Sequence, residues 1–350
     1  MIREGHAFYC DCPARNAKIE GYSQIIRDPC RDQRKTNGAI KLRVPDNQKI
    51  SFKDFVFREE ITWDTNKVFD ATLLKSDGFP TYHLAAMVDD HLMNISHILR
   101  GYDWMSSTPI HLLVLDYLGF ERPQIGHLTD IQAPQGGKLS KRKGSTSIDQ
   151  FIEDGYLPEA LFNFVILMGW APKDNRELFT LDEFVQYFRE DGFQKSNPRY
   201  VPDKLDWFNA QYIRKIDEQD LISRIKKFTN KDEATIGKLL PLIKDRMVTL
   251  KEFDQLIEYF FVRPQIQVNN FGVLTNTINV LTETWDGKVL EEKARAYCSE
   301  NNVKVGDYFM VLRQAITGRS QTPPLWDVMQ ILGKEEVLAR LKSCLPEKEN

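Results

Sequence analysis

Apolar and polar positions alternate at short range through the first third of the chain. Ile40-Lys41-Leu42-Arg43-Val44 follows a period of two, and the run 68–74 (Val68-Phe69-Asp70-Ala71-Thr72-Leu73-Leu74) also reads as a strand, because that spacing puts every second side chain on one face. Asp77-Gly78-Phe79-Pro80 is a turn. The run 81–91 then has helical character, and 95–100 returns to strand character before Gly101. Ser107-Thr108-Pro109 opens a further helix running to Gly119, with proline suited to the first turn. A last strand covers 125–131. Strand, helix, strand, helix, strand predicts a parallel α/β sheet, in which ligands collect at the strand ends.

Beyond this point strand signals become scarce. Thr146-x-x-Asp149 marks a helix start leading into Phe151-Ile152, and Pro158 opens a helix apolar nearly all round, which predicts burial. Thr180-x-x-Glu183 is a capping box. Leu250, Phe253, Ile257 and Phe260 share a helical face, as do Tyr308, Leu312, Ala315 and Ile316, and then Leu325, Val328, Met329 and Leu332. Gly318 and Gly333 follow helices as C-terminal caps. From about 199 onward the pattern predicts an all-helical unit, with no tandem repeat.

With 350 residues, 42% hydrophobic and 28% charged, the chain has an ordinary globular composition and room for two or three domains. A net charge of -3 means that any nucleic-acid binding comes from local basic surfaces. The longest apolar run, 161–171, contains Asn163 and is too short to span a bilayer. Five cysteines, with no signal core at Met1-Ile2-Arg3-Glu4-Gly5-His6, point to a reducing compartment and no disulfide framework. The expectation is a soluble, cytoplasmic protein, with a mitochondrial matrix as the alternative. A helix-like start runs straight into Ala7-Phe8-Tyr9-Cys10, as if the chain began inside a domain.

Two stretches carry candidate chemistry. Between the strand 125–131 and the helix after it lies Gly136-Gly137-Lys138-Leu139-Ser140-Lys141-Arg142-Lys143-Gly144, with four cations in six residues and no carboxylate. Like charges this close call for an anion opposite them, and flanking glycines let the backbone approach it. An isolated basic run reads as a solvated turn or a nucleic-acid patch; between a strand and a helix it suits a polyphosphate whose charge grows during reaction. Second, Cys10-x-Cys12 with Cys30-x-Asp32 has a spacing that fits zinc through three thiolates and a carboxylate. The alternative is reduced cysteines in a small insertion. Asp89-Asp90-His91 with His83 and His97 has the composition of a metal-hydrolase cluster, but helical spacing puts His83 and Asp90 on one face and turns Asp89 and His91 elsewhere, which favours a structural network.

Several stretches together resemble glutamyl-tRNA synthetases. They are Lys75-Ser76-Asp77-Gly78-Phe79-Pro80-Thr81-Tyr82-His83-Leu84-Ala85, Val88-Asp89-Asp90-His91-Leu92-Met93, and Ile98-Leu99-Arg100-Gly101 with Trp104 and Ser107-Thr108-Pro109. Lys138-Leu139-Ser140-Lys141-Arg142 resembles that family's form of the class I "KMSKS" loop, and Gly155-Tyr156-Leu157-Pro158-Glu159-Ala160-Leu161 with Met168-Gly169-Trp170 fits the stretch after it. Thr317-Gly318, Pro323-Pro324-Leu325 and Ile331-Leu332-Gly333-Lys334-Glu335 resemble the end of the bacterial-type helical anticodon-binding region.

The resemblance implies an α/β fold: a partial Rossmann-like parallel sheet followed by an all-α anticodon-binding region. It divides the chain into the remainder of a catalytic domain (1–135, with an acceptor-binding subdomain at about 1–70), the KMSKS-type loop with a stem-contact helical region (136–198), and an anticodon-binding domain (199–350). It further implies ATP-dependent activation of L-glutamate to glutamyl-adenylate and transfer to the 3' end of tRNA(Glu), with Mg²⁺ accompanying ATP. The implied partners are tRNA(Glu) and L-glutamate, with no DNA or membrane partner and a monomeric state. By position, Lys138, Lys141 and Arg142 match the loop cations; Lys141, Ser140 and Trp104 fall to ATP; Tyr82 and Arg100 match the pair that holds the glutamate side chain, a task suited to a guanidinium fork. Ala86 stands where many relatives carry Asn. Arg246, Lys251, Arg313 and Arg319 are unassigned cations of the helical half. The family's "PSPTG"-like segment and HIGH-type signature find no match, which leads to the expectation that this polypeptide by itself does not activate glutamate. The alternative function is a tRNA-binding or regulatory paralogue that kept the helical body and lost catalysis, although such a binder has no need of the lysine loop or of the Tyr82/Arg100 pair. Relatives that glutamylate a tRNA base lack the helical half, and glutaminyl relatives carry β-barrels where this chain shows no strand alternation.

Overall fold

A computed structural model of the chain describes residues 1–12, 26–139 and 147–346. The chain folds into two compact units, Met1–Lys143 with Val165–Tyr200, and Gly144–Phe164 with Val201–Asn350.

The first unit holds two sheets. Strands β1 (Ala7–Cys10), β2 (Ala39–Leu42) and β5 (Thr72–Leu74) form an antiparallel sheet in the order β1-β2-β5. Strands β3 (Lys49–Asp54), β4 (Glu59–Asp64), β6 (His97–Gly101) and β7 (Gln124–Leu128) form the other, in the order β4-β3-β7-β6. β7 runs parallel to β3 and to β6, while β4 is antiparallel to β3. Helices α1 (Tyr82–Leu92) and α2 (Thr108–Leu118) pack on a core containing Leu42, Ile50, Leu73, Met87, Ile110, Leu112 and Ile125. α2 connects β6 to β7, the helical crossover that a parallel pair requires. It starts with Pro109 in its first turn and stops at Gly119, whose φ of 71° is the left-handed conformation open to glycine.

The strand expected over 68–74 is confined to 72–74. Asp70 is buried and occupied by the guanidinium of Arg31 and the backbone N–H groups of Asp28 and Val44, so that stretch belongs to a side-chain network and not to a ladder. β5 is taken up by β2, and the parallel part of the second sheet is therefore β6, β7 and β3. The last strand ends at Leu128, three residues short of expectation. The helix placed at Thr146 starts from Ser147, whose hydroxyl accepts the Gln150 N–H; Thr146 lies outside the described residues.

Three helices follow the basic loop: α3 (Ile148–Glu153), α4 (Pro158–Gly169) and α5 (Leu181–Tyr187). Thr180 and Glu183 form the expected capping box. α4 is not buried all round: Ala160, Asn163 and Phe164 are covered, while Val165 is 48% exposed. Its apolar composition exceeds the surface that its neighbours cover. From α6 (Pro202–Lys215) to α14 (Lys334–Ser343) the described chain is helical. Tyr308, Leu312, Ala315, Ile316, Leu325 and Met329 lie in one core as their spacing predicts. The face drawn through Leu250 and Phe260 is broken into α9 (Phe253–Ile257) between two 3₁₀ turns, with Tyr259 the buried ring of the second. Buried Arg340 donates to the carbonyls of Tyr259 and Ile316 and to Glu336, holding α14 against the end of α12 (Val305–Thr317). No described helix is long and apolar enough to cross a membrane.

Candidate active site

Arg100 sits on β6, beside β7 in parallel register with His127. Its guanidinium donates from Nε to His127 Nε2 at 3.1 Å, from Nη1 to His111 Nδ1 at 2.8 Å, and from Nη2 to Thr108 Oγ1 at 2.7 Å. Those three acceptors are sealed from water. His127 in turn donates from Nδ1 to Asp54 Oδ2 at 2.7 Å, and Asp54 Oδ1 accepts the Val56 and Phe57 N–H groups, each at 2.9 Å. Asp54 ends β3, where it pairs in parallel with Ile125 of β7. Gly126 makes this approach feasible, because a Cβ there would meet the Phe55 ring at 2.7 Å and the Val56 side chain at 2.8 Å.

These bonds fix ring tautomers. With His127 Nδ1–H on a carboxylate, its Nε2 is the acceptor for Arg100. His111 Nδ1 faces a group that only donates, so its proton rests on Nε2 and points at His83 Nδ1, 3.0 Å away. Burial, helped by Arg100, His83 and His127, pulls the His111 pKa down to about 3. Burial and then Arg100 lower that of His83. Burial also pulls Arg100 below its ordinary value, with Tyr82, Asp90 and Asp54 acting the other way, but a guanidinium stays charged at any working pH.

The Tyr82 phenol lies near enough to this guanidinium to oppose the lowering of its pKa. Tyr82 and Arg100, nominated together, are thus together in the structure. The Tyr82 ring lies tilted by 38° against Trp104 at 4.4 Å between centroids, and both are open to solvent, at 50% and 37%. Three of the five guanidinium N–H groups are engaged by Thr108, His111 and His127, which leaves one on each terminal nitrogen. A guanidinium with an N–H on each terminal nitrogen is able to receive a carboxylate through two bonds.

Lys138 is placed close by. Its ammonium pairs with Asp103, the residue before Trp104, and with Asp130 at 2.9 Å. These two hydrogen bonds raise its pKa. The backbone bends back through Ala133 N–H to Gly137 O and Leu139 N–H to Ile131 O, with Gly136 and Gly137 at positive φ. Ser140, Lys141 and Arg142 lie outside the described residues.

The sulfurs of Cys10, Cys12 and Cys30 and a carboxylate oxygen of Asp28 lie within 4.8 Å of one another, the one such group among the described residues. The carboxylate is therefore Asp28 and not Asp32. Asp32 is 84% exposed at its side chain and pairs with Arg43 at 2.9 Å, whereas Asp28 is held inward by its N–H bond to buried Asp70 and by accepting the Cys30 N–H. Burial pushes the Cys10 thiol up to about 12. Gly38, at φ +109°, lies on the Cys10 carbonyl where any Cβ would collide at 2.4 Å. Among the described residues the Asp89–His91 stretch joins no metal cluster: His91 stacks on Phe120, and His97 pairs with Glu190 at 3.3 Å.

Residues 1–207 match the family model for the catalytic domain of class I tRNA synthetases (E and Q), and residues 219–345 match an anticodon-binding domain. A glutamate–tRNA ligase from Dehalococcoides mccartyi is 36% identical over 381 residues, spanning 99% of this chain and 78% of that protein. The chain belongs to the class I glutamate–tRNA ligase family. A second member, from Thermus thermophilus, is 36% identical over 323 residues, or 87% of this chain and 69% of the relative. A glutamate–tRNA ligase from Elizabethkingia meningosepticum, solved in complex with its amino acid, superposes with a TM-score of 0.77 at 27% identity, covering 87% of this chain and 68% of that one.

In the helical unit, Arg246, Arg313 and Arg319 all act on the Tyr259 phenol. Its hydroxyl is buried and finds no hydrogen-bond partner among the described residues. Lys251 belongs elsewhere, paired with Asp154 at 3.3 Å. Sequence reasoning did not nominate Asp54, Thr108, His111 and His127 as site residues. Their contacts cross up to 73 positions and depend on sheet register.

The histidine shifts predict an acid-sensitive fold. Above the ordinary value of 6.5, His111 is neutral folded and unfolded, so it contributes no pH dependence. As pH falls from 6.5 towards about 3 the unfolded chain binds a proton that the native site refuses. Stability then drops by about 1.4 kcal/mol per pH unit, or about 2 kcal/mol at pH 5, and His83 adds in the same direction. Urea unfolding at pH 7.5 and pH 5 should show this loss reduced in His111→Gln; an identical pH dependence in the variant would contradict the assignment.

Proposed function

We propose that this protein is a glutamate–tRNA ligase in which Arg100 and Tyr82 select L-glutamate by its side-chain carboxylate. In the reaction, a glutamate α-carboxylate oxygen attacks the α-phosphorus of ATP and pyrophosphate leaves. The terminal ribose hydroxyl of tRNA(Glu) then takes the acyl group and AMP leaves. The observation that carries this reading is a half-buried guanidinium held by three buried acceptors, beside the exposed, tilted ring pair of Tyr82 and Trp104. Its charge favours glutamate over glutamine, which offers a neutral amide in the same volume.

Mg²⁺ would accompany ATP and help to neutralise the phosphate charge. We assign the phosphates to Lys138 with Ser140, Lys141 and Arg142, the last three by resemblance. Lys138, held by two carboxylates, is a cation kept in place until a competing polyanion arrives. Trp104 offers an open ring face to the adenine. For the tRNA, Arg246, Arg313 and Arg319 around the unpartnered Tyr259 hydroxyl are our choice of contact, since such groups bind phosphates and splayed bases.

A structural zinc ion at Cys10, Cys12, Cys30 and Asp28 fits the donor set. Zinc–sulfur bonds of about 2.3 Å put tetrahedral ligands about 3.7 Å apart, and the Cys12 and Cys30 sulfurs are already at 3.3 Å. The ion would tie the turn carrying Cys30 to β1.

Two measurements test these assignments. Calorimetric titration should show L-glutamate preferred to L-glutamine, and Arg100→Ala should weaken glutamate on the order of a hundredfold and erase the preference; unchanged affinity would refute the amino-acid assignment. Metal analysis of the purified protein should find about one zinc per chain, lost in Cys30→Ser; a zinc-free wild type would refute the metal site.

A further inference from the structure

We propose that Asp54 and His127 are positioning residues for amino-acid selection, acting by presenting an unprotonated His127 Nε2 to Arg100. The inference rests on the assignment of Arg100 to the glutamate carboxylate and goes beyond it by naming what aims the guanidinium. Both side chains are fully sealed and neither has a route to a ligand. Asp54 is saturated, with the Val56 and Phe57 N–H groups on Oδ1 and the His127 backbone N–H and Nδ1 on Oδ2. Its fixed carboxylate allows His127 a proton at Nδ1, and the Nε2 lone pair then meets Arg100 Nε and the Thr108 hydroxyl, 3.2 Å away. Nε is the one guanidinium nitrogen with a single hydrogen, so an acceptor there fixes the plane of the fork. Thr108 and His111 hold the terminal nitrogens. A burial cost as high as that of an Asp–His pair is a weak device for stability alone, and here its output is the orientation of one cation.

The mechanism makes a tautomer-specific prediction. In Asp54→Asn the amide oxygen can keep the Val56 and Phe57 N–H bonds, while the amide nitrogen gives up the His127 backbone N–H and becomes a donor towards His127 Nδ1. The ring proton then moves to Nε2 and opposes the Arg100 Nε–H, donor against donor. L-glutamate binding to the full chain, followed by calorimetry, should weaken about tenfold or more in this variant, with L-glutamine changed much less. In Asp54→Asn/His127→Gln the glutamine side chain supplies an acceptor whatever residue 54 does, and affinity should return to within about threefold of wild type. A purely structural role predicts a double variant no better than the single, which would overturn the proposal. Should Asp54→Asn not fold, His127→Leu against His127→Gln asks the same question, and equal affinities would overturn it. Arg100→Ala separates the two levels. If it leaves glutamate affinity unchanged, the amino-acid reading itself fails; if it abolishes binding while Asp54→Asn is silent, only the positioning role fails.

Discussion

The selector role proposed for Arg100 depends on something that holds its side chain still. A free arginine side chain has close to 2 kcal/mol of rotamer entropy to lose when it grips a ligand, and that loss weakens binding. Here the loss is taken during folding, by three buried acceptors that come from β7 and α2. The acceptors are in turn fixed: His127 by Asp54, and His111 by His83. Each of these groups would be costly to bury alone. Together they satisfy one another, and the charge that results is directed at the open Tyr82–Trp104 side of the sheet.

The site also explains the sheet. β7 lies between β3 and β6, so it alone can carry a residue that touches both the β3 carboxylate and the β6 guanidinium. His127 is that residue, and Gly126 before it lets the turn after β3 close in. A shift of one position along β7 would turn His127 to the opposite face. The register that Ile125 packs into the core is therefore also the one that brings Asp54, His127 and Arg100 together.

Local chemistry was legible in the residues. Pro109 and Gly119 bound their helix, Thr180 and Glu183 cap theirs, and the spacing of Tyr308, Leu312, Ala315 and Ile316 gives a buried face. Tyr82 and Arg100 came from family resemblance, which periodicity could not have supplied. What was not legible depends on distant pairing. Asp54 reads as one more polar residue at a strand end, and nothing near it names His127. Asp32 looked like the fourth zinc donor because it completes an x-spaced pair, yet the buried Asp70 network turns Asp28 inward instead. The run at 68–74 lost most of its strand for the same reason.

The most direct test is a crystal structure of the chain with L-glutamate bound. The account predicts the side-chain carboxylate in a two-bond contact with Arg100 Nη1 and Nη2, with the Tyr82 phenol alongside and the His127, His111 and Thr108 bonds intact. Glutamate bound away from Arg100, or an Arg100 that leaves those three acceptors to reach it, would contradict it.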